Sequence, residues 1–342
     1  MEYQVIWFVL WGLLWAVYFM LDGFDFGVGM LQKFIAANNA DKRVIINTIG
    51  PVWDGNEVWL ITAGGATFAA FPATYALMFS YLYSALLIIL FALIFRGVAF
   101  EFRGKGGSPA WERGWDAAIF AGSFIPSLLF GVAFGNIFRG LPMDGGGYHG
   151  TLLGLLNPYG IVTGIFFVLL FAEHGALWLA LKTDGDLAAR AGRVSGQIWI
   201  PLLGTAVLFL VSTYFATDLY ANFLNNMAWG LVPAAAVASL AAIRIFSSTG
   251  NYGRAFLASS VAIVMVVFTG VIGLYPNLIP SRLDPAHSLT IFNSSSSIYT
   301  LKIMTGAVLL SVPIVIAYQV WIYRTFRSRL THEDLESDGE AY

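Results

Sequence analysis

The sequence predicts an all-α integral membrane protein with nine transmembrane helices, its N-terminus outside and its C-terminus in the cytoplasm. Three observations carry this. The chain is 58% hydrophobic and only 11% charged, against about 25% charged residues in a soluble domain. Its 342 residues fall into long charge-free runs. The basic residues then divide unequally between the two ends of those runs. With a net charge of −2 and no basic tract, nucleic acid is excluded as a partner. The absence of cysteine excludes disulfides, iron–sulfur clusters and thiolate metal sites.

The first span runs over about Val5–Phe34, with no basic n-region or small-residue cleavage site to suggest removal. Val58 to Phe95 is uncharged and too long for one span, since about 20 residues suffice. Phe71-Pro72-Ala73 breaks it, because a residue before proline is pushed out of helical geometry. Two spans result, at about Pro51–Phe71 and Thr74–Arg96. Five more follow at about Trp115–Ile137, Pro158–Leu181, Gln197–Thr217, Met227–Ile245 and Gly253–Leu274, and the last covers about Thr300–Thr325. Residues 1–330 form a single polytopic membrane domain. Residues 331–342 form an acidic cytoplasmic tail. Arg139–Gly150 and Tyr275–Ser297 read as ordinary surface connections.

Alternating sides at each span puts 15 Lys and Arg on one side and 3 (Arg139, Arg282 and Lys302) on the other. The richer side is the cytoplasm. A missed or invented span would scramble this division.

Acids inside these spans mark candidate sites, because an ionisable group in lipid is costly and faces protein or water. LDGFDFGVGM holds Asp22 and Asp25, and GPVWDGNEVWL holds Asp54 and Glu57. Asp25 precedes Lys33 by 8 residues, so it lies about 12 Å below the cytoplasmic interface at 1.5 Å per residue. Asp54 and Glu57 begin the next, antiparallel helix. Glu173 and His174 reach a similar depth. The physical hypothesis is a proton-conducting or proton-storing cluster open to the cytoplasm. Bland readings stand beside it. Asp54 could complement the positive end of its helix. Asp22 and Asp25 could be a buried structural pair. His174 reads as a packed residue rather than a metal ligand. Four histidines scattered over different elements (His149, His174, His287 and His332) argue against a haem held by this chain alone. Gly23-x-x-x-Gly27, Gly131-x-x-x-Gly135 and Gly160-x-x-x-Gly164 suit close helix packing, or a break in the first helix that would expose backbone to an ion.

At LDGFDFGVGM and GPVWDGNEVWLITAGGATFAAFP the chain resembles subunit II of the cytochrome bd family of bacterial quinol oxidases. The likeness continues through Phe95–Arg103, GSFIPSLLFGVAFGN (122–136), LLNPYG (155–160) and YPNLIPS (275–281), and covers essentially the whole chain. The resemblance implies two four-helix bundles plus one extra helix. It implies a heterodimer in the bacterial cell membrane with a haem-bearing subunit I, with room for small single-helix subunits. Two haems b and one haem d belong to subunit I, quinol and dioxygen are the substrates, and this chain binds no cofactor or metal alone. Asp25 and Asp54 match family acids that carry protons toward the haems, with Asp22 and Glu57 in support. Trp59 and Arg96 match positions near the subunit interface or haem. Two alternatives remain at this stage: a proton- or cation-coupled secondary transporter, and a purely structural partner.

Overall fold

The structure, a computed structural model, describes residues 2–331, 333 and 334. The expected acidic tail lies outside the described residues except for Thr331, Glu333 and Asp334, and His332 also lies outside them.

Nearly everything is helical. The elements are α1 (Glu2–Ile35), α2 (Asn39–Asn47), α3 (Trp53–Ala70), α4 (Pro72–Tyr81), α5 (Tyr83–Phe102), α6 (Pro109–Arg139), α7 (Pro158–Lys182), α8 (Gly185–Ala216), α9 (Tyr220–Asn225), α10 (Leu231–Ser248), α11 (Tyr252–Leu274) and α12 (Ile298–Thr325). Among the described residues, eight helices are long and apolar enough to cross a membrane. The helix starts follow local chemistry. Ser108, Asn157, Asn251 and Ser297 each accept a backbone N–H three residues ahead, filling one of the orphan donors at a helix N-terminus. Pro109 and Pro158 occupy the first turns of their helices, where the missing N–H has no partner to lose.

Phe71 breaks the long apolar run as expected, with φ −133° and ψ 65° before Pro72. The next span departs from expectation. It is two helices with a bend at Leu82 (φ −99°, ψ 13°), and it continues to Phe102 rather than ending at Arg96. The bend has a packing cause. Leu82 is buried with Ala85, Val132 and Leu155, and Tyr81 stacks on Tyr148 at 4.5 Å between centroids.

Helix α1 is the central post and packs against α3, α6, α7 and α11. It runs unbroken through its glycines, so those glycines serve packing. A Cβ on Gly27 would lie 2.0 Å from the carbonyl oxygen of Phe171 and 2.7 Å from the Cα of Gly175. Backbones of α1 and α7 therefore touch where side chains would hold them apart. Gly131 meets Gly164 in the same way between α6 and α7, at 2.6 Å. Helix α7 follows as the most enclosed span, with 78% of its apolar window buried, whereas that share is 0% for α12.

The two long connections are not independent surface loops. Leu141 N–H donates to the Pro280 carbonyl and Arg282 N–H to the Leu141 carbonyl, both at 2.9 Å. Ser281 Oγ donates to the Met143 carbonyl. Short antiparallel pairs β1 (Met143–Asp144) with β2 (Gly147–Tyr148), and β3 (Asn277–Ile279) with β4 (Leu289–Thr290), complete this cap. Its apolar residues Leu141, Met143, Leu278 and Ile279 are buried.

At the opposite end, polar side chains tie the helices together. Asp116 accepts from Arg103 at 2.6 Å and Lys42 at 2.7 Å, and Asp41 accepts from Arg190 at 2.5 Å. Lys182 donates to the carbonyls of Phe326 and Ser328, so the chain after α12 folds back over the end of α7.

Candidate functional site

Four helices bring their polar residues to one place inside the bundle. Asp22 and Asp25 lie on α1, Asn56 and Glu57 on α3, Arg96 on α5 and Tyr323 on α12. Asp22, Asp25, Asn56 and Arg96 have no exposed surface. Helical spacing explains the first pair, since residues three apart share a face. It also explains why Asn56 and Glu57, one position apart, reach different partners.

Arg96 Nη2 donates to Asp22 Oδ1 at 2.7 Å and lies 3.5 Å from Glu57 Oε2. Its guanidinium carbon stands 4.3 Å from the centroid of the Phe26 ring, a cation–π contact that offsets part of its lost hydration. A buried guanidinium needs such company, because an uncompensated charge in this setting costs several kcal/mol, by order of magnitude. Asp25 Oδ2 accepts from Asn56 Nδ2 at 2.8 Å. Asn56 Oδ1 in turn accepts from the Tyr323 hydroxyl at 2.8 Å. Among the described residues, Asp25 Oδ1 and Arg96 Nε and Nη1 have no hydrogen-bond partner, and the Tyr18 hydroxyl faces Asp22. Buried polar atoms are usually paired, so a cluster left partly open stands out in this fold.

The expected residues divide accordingly. Asp22 and Glu57 converge on Arg96, and Asp25, one turn from Asp22, bonds to Asn56 instead. Asp54 does not join them. It is exposed at the first turn of α3 and accepts the N–H of Gly55 at 2.6 Å, and it is Asn56 that turns inward to Asp25. Trp59 is 8% exposed and Arg96 0%. Arg96 is thus enclosed by this chain's own atoms and serves as the counter-ion of Asp22. Sequence reading missed Asn56, Tyr18 and Tyr323. The amide between two acids in Asp54-Gly55-Asn56-Glu57 was a signal for the first. Tyr323 gave none, being 267 residues from its partner.

A second buried acid lies on α7. Glu173 Oε1 accepts from Ser195 at 2.7 Å. His174 engages Ser259 through Nδ1 (2.6 Å) and the Met20 carbonyl through Nε2 (3.0 Å), and stacks on Phe256 at 4.4 Å. Both its ring nitrogens are occupied within the fold. His149 and His287 sit on the cap loops, bonded to Asp144 and Asp284. Among the described residues no group of three His, Cys, Asp or Glu gathers as metal ligands do.

The family model for cytochrome bd terminal oxidase subunit II matches residues 3–326. The cytochrome bd ubiquinol oxidase subunit 2 of Bacillus subtilis is 38% identical, over 96% of this chain and 97% of its own. The cytochrome bd-I ubiquinol oxidase subunit 2 of Escherichia coli K12 is 36% identical, over 99% of each. A solved chain of the bd oxidase from Geobacillus thermodenitrificans superposes with a TM-score of 0.80 at 18% identity, covering 95% of this chain and 99% of that one; at that identity the likeness speaks to the fold. Family match, full-length relatives and membrane-helical fold agree: the chain belongs to the subunit II family of cytochrome bd terminal oxidases, multi-pass components of an oxidoreductase complex in the bacterial plasma membrane.

Proposed function

We propose that this chain is the non-haem subunit of a quinol-oxidising, dioxygen-reducing complex and gives protons access from the cytoplasm. The observation that carries the reading is the enclosed group of Asp22, Asp25 and Arg96 with the half-buried Glu57 at its edge, set in helices that otherwise carry little charge. The partner subunit holds the haems, two b and one d, which supply the oxygen chemistry when bound. This chain's residues hold and hand on protons. Asp25 exchanges a proton in the interior, Asp54 receives protons at the entrance, and Arg96 anchors Asp22 by a direct bond.

The topology that serves this role counts α3 as a ninth span. Its 18 residues rise about 27 Å, close to the ~30 Å hydrocarbon core. Its polar first turn explains why it escapes a hydropathy criterion. With nine spans the termini lie on opposite sides, and the basic residues put the C-terminus in the cytoplasm. Helices α1, α3, α4 with α5, and α6 form one bundle. Helices α7, α8, α10 and α11 form the other, and α12 stands apart. Nothing in the site favours a transporter, because α1 carries no unwound segment for an ion.

The test is Asp25→Asn and Asp54→Asn in the assembled oxidase. Quinol-driven oxygen consumption should fall about a hundredfold for Asp25→Asn, the low end of what a placed proton-transfer group contributes, and less for Asp54→Asn. Haem spectra should stay unchanged. Full turnover in both variants would sink proton access and leave a scaffold.

A further inference from the structure

Tyr323 lies on α12, the span with the least buried apolar surface. Its hydroxyl donates to Asn56 Oδ1 at 2.8 Å. The Asn56 amide nitrogen reaches Asp25 Oδ2 at 2.8 Å and the Leu21 carbonyl at 3.4 Å. A backbone carbonyl only accepts, so the Leu21 oxygen requires the NH2 end of Asn56 on its side. Asp25 Oδ2, facing the same NH2, is then an acceptor too. The other end of the amide is an acceptor that needs a donor, and Tyr323 supplies it. Donation therefore runs one way, from Tyr323 through Asn56 to Asp25.

We propose that Tyr323, acting through Asn56, is a positioning residue that holds Asp25 Oδ2 as an acceptor and leaves Oδ1 to carry the exchanged proton. This rests on the proton-access reading above. Oδ1 is the oxygen of Asp25 that has no partner in the chain, so it can take up and release a proton without breaking the Asn56 bond. Tyr323 also stands where two cavities meet. One, of about 160 Å³, is lined by Asn47, Thr48, Lys182, Tyr323 and Ser328, and that volume admits several waters. The other, of about 40 Å³, is lined by Asp54, Asn56, Gln319 and Tyr323. The cavity that Asp54 lines thus reaches Asn56, the residue bonded to Asp25. Gln319, one turn before Tyr323, donates to the Gly55 carbonyl at 3.2 Å and holds α12 in register with α3.

The experiment uses the whole oxidase with its haem-bearing subunit. Asp25 is identified in the infrared difference spectrum between oxidised and reduced enzyme as the carboxyl band lost in Asp25→Asn. In Tyr323→Phe that band should shift in frequency, and turnover should fall about fivefold, the worth of one hydrogen bond, with haem content unchanged. A purely structural role for Tyr323 would not move the band. Asn56→Leu keeps about the same volume but neither accepts from Tyr323 nor donates to Asp25, so the band must shift there too; this variant decides the matter should Tyr323→Phe fail to assemble. An unmoved band with normal turnover overturns the inference, while loss of activity in Asp25→Asn would leave the proton-access reading standing. Full activity in Asp25→Asn would instead remove that reading.

Discussion

Asp25 on α1 and Glu173 on α7 are equally enclosed, and their helices touch at Gly27 and Gly175. Their surroundings differ. Around Asp25 the polar contacts span four helices and include a cation, through the Asp22–Arg96 pair and the Asn56–Tyr323 chain. Glu173 bonds to the Ser195 hydroxyl on the adjoining helix, and its cation, Arg244, acts on it without a hydrogen bond. Burial alone does not make a carboxyl part of a pathway. Asp25 lies beside the Asp22–Arg96 ion pair and is linked through Asn56 to Tyr323. The α7 acid is a local contact within the second bundle.

The sharpest way to break this contrast is to remove the cation. Arg96→Met leaves Asp22 buried without its partner and should cost about 3–5 kcal/mol, read as loss of assembled oxidase and of haem content. The double variant Arg96→Met with Asp22→Leu should recover much of the assembly while turnover stays low; no recovery would mean that Arg96 acts chiefly through other contacts. Next in size is the joint between the two regions. Gly27→Ala pushes a methyl group to 2.0 Å from the Phe171 carbonyl and should cost about 2 kcal/mol or more, as overpacking does. A lowered thermal midpoint of the purified complex measures it. The smallest effect is expected at Glu173→Gln, which keeps the Ser195 bond. Stability should change by about 1 kcal/mol or less, with quinol-driven oxygen consumption preserved. A loss as deep as that of Asp25→Asn would make the two acids equivalent and erase the distinction.

Much of the fold was legible because membrane spans are written locally. Each span needs its own uninterrupted apolar run, since backbone groups in lipid must bond within their own helix. The break at Phe71-Pro72 is equally local. The bend at Leu82 was not legible, because it arises from contacts with Val132 and Tyr148 far along the chain. The cap built from the 140s and 280s was hidden for the same reason.

The site divides along the same line. The sequence by itself determined that Asp22 and Asp25 share a helix face, that α1 could approach another backbone closely through its glycines, and that the acids lie toward one end of their spans. Those are consequences of helical period, rise and residue size. Only the tertiary structure decided that Arg96 is the counter-ion of Asp22, that Asn56 rather than Asp54 turns inward, and that a tyrosine on the last helix completes the chain. The physical reason is that a helix specifies which face a side chain occupies but not which other helix that face will meet. That choice comes from packing the whole bundle around α1.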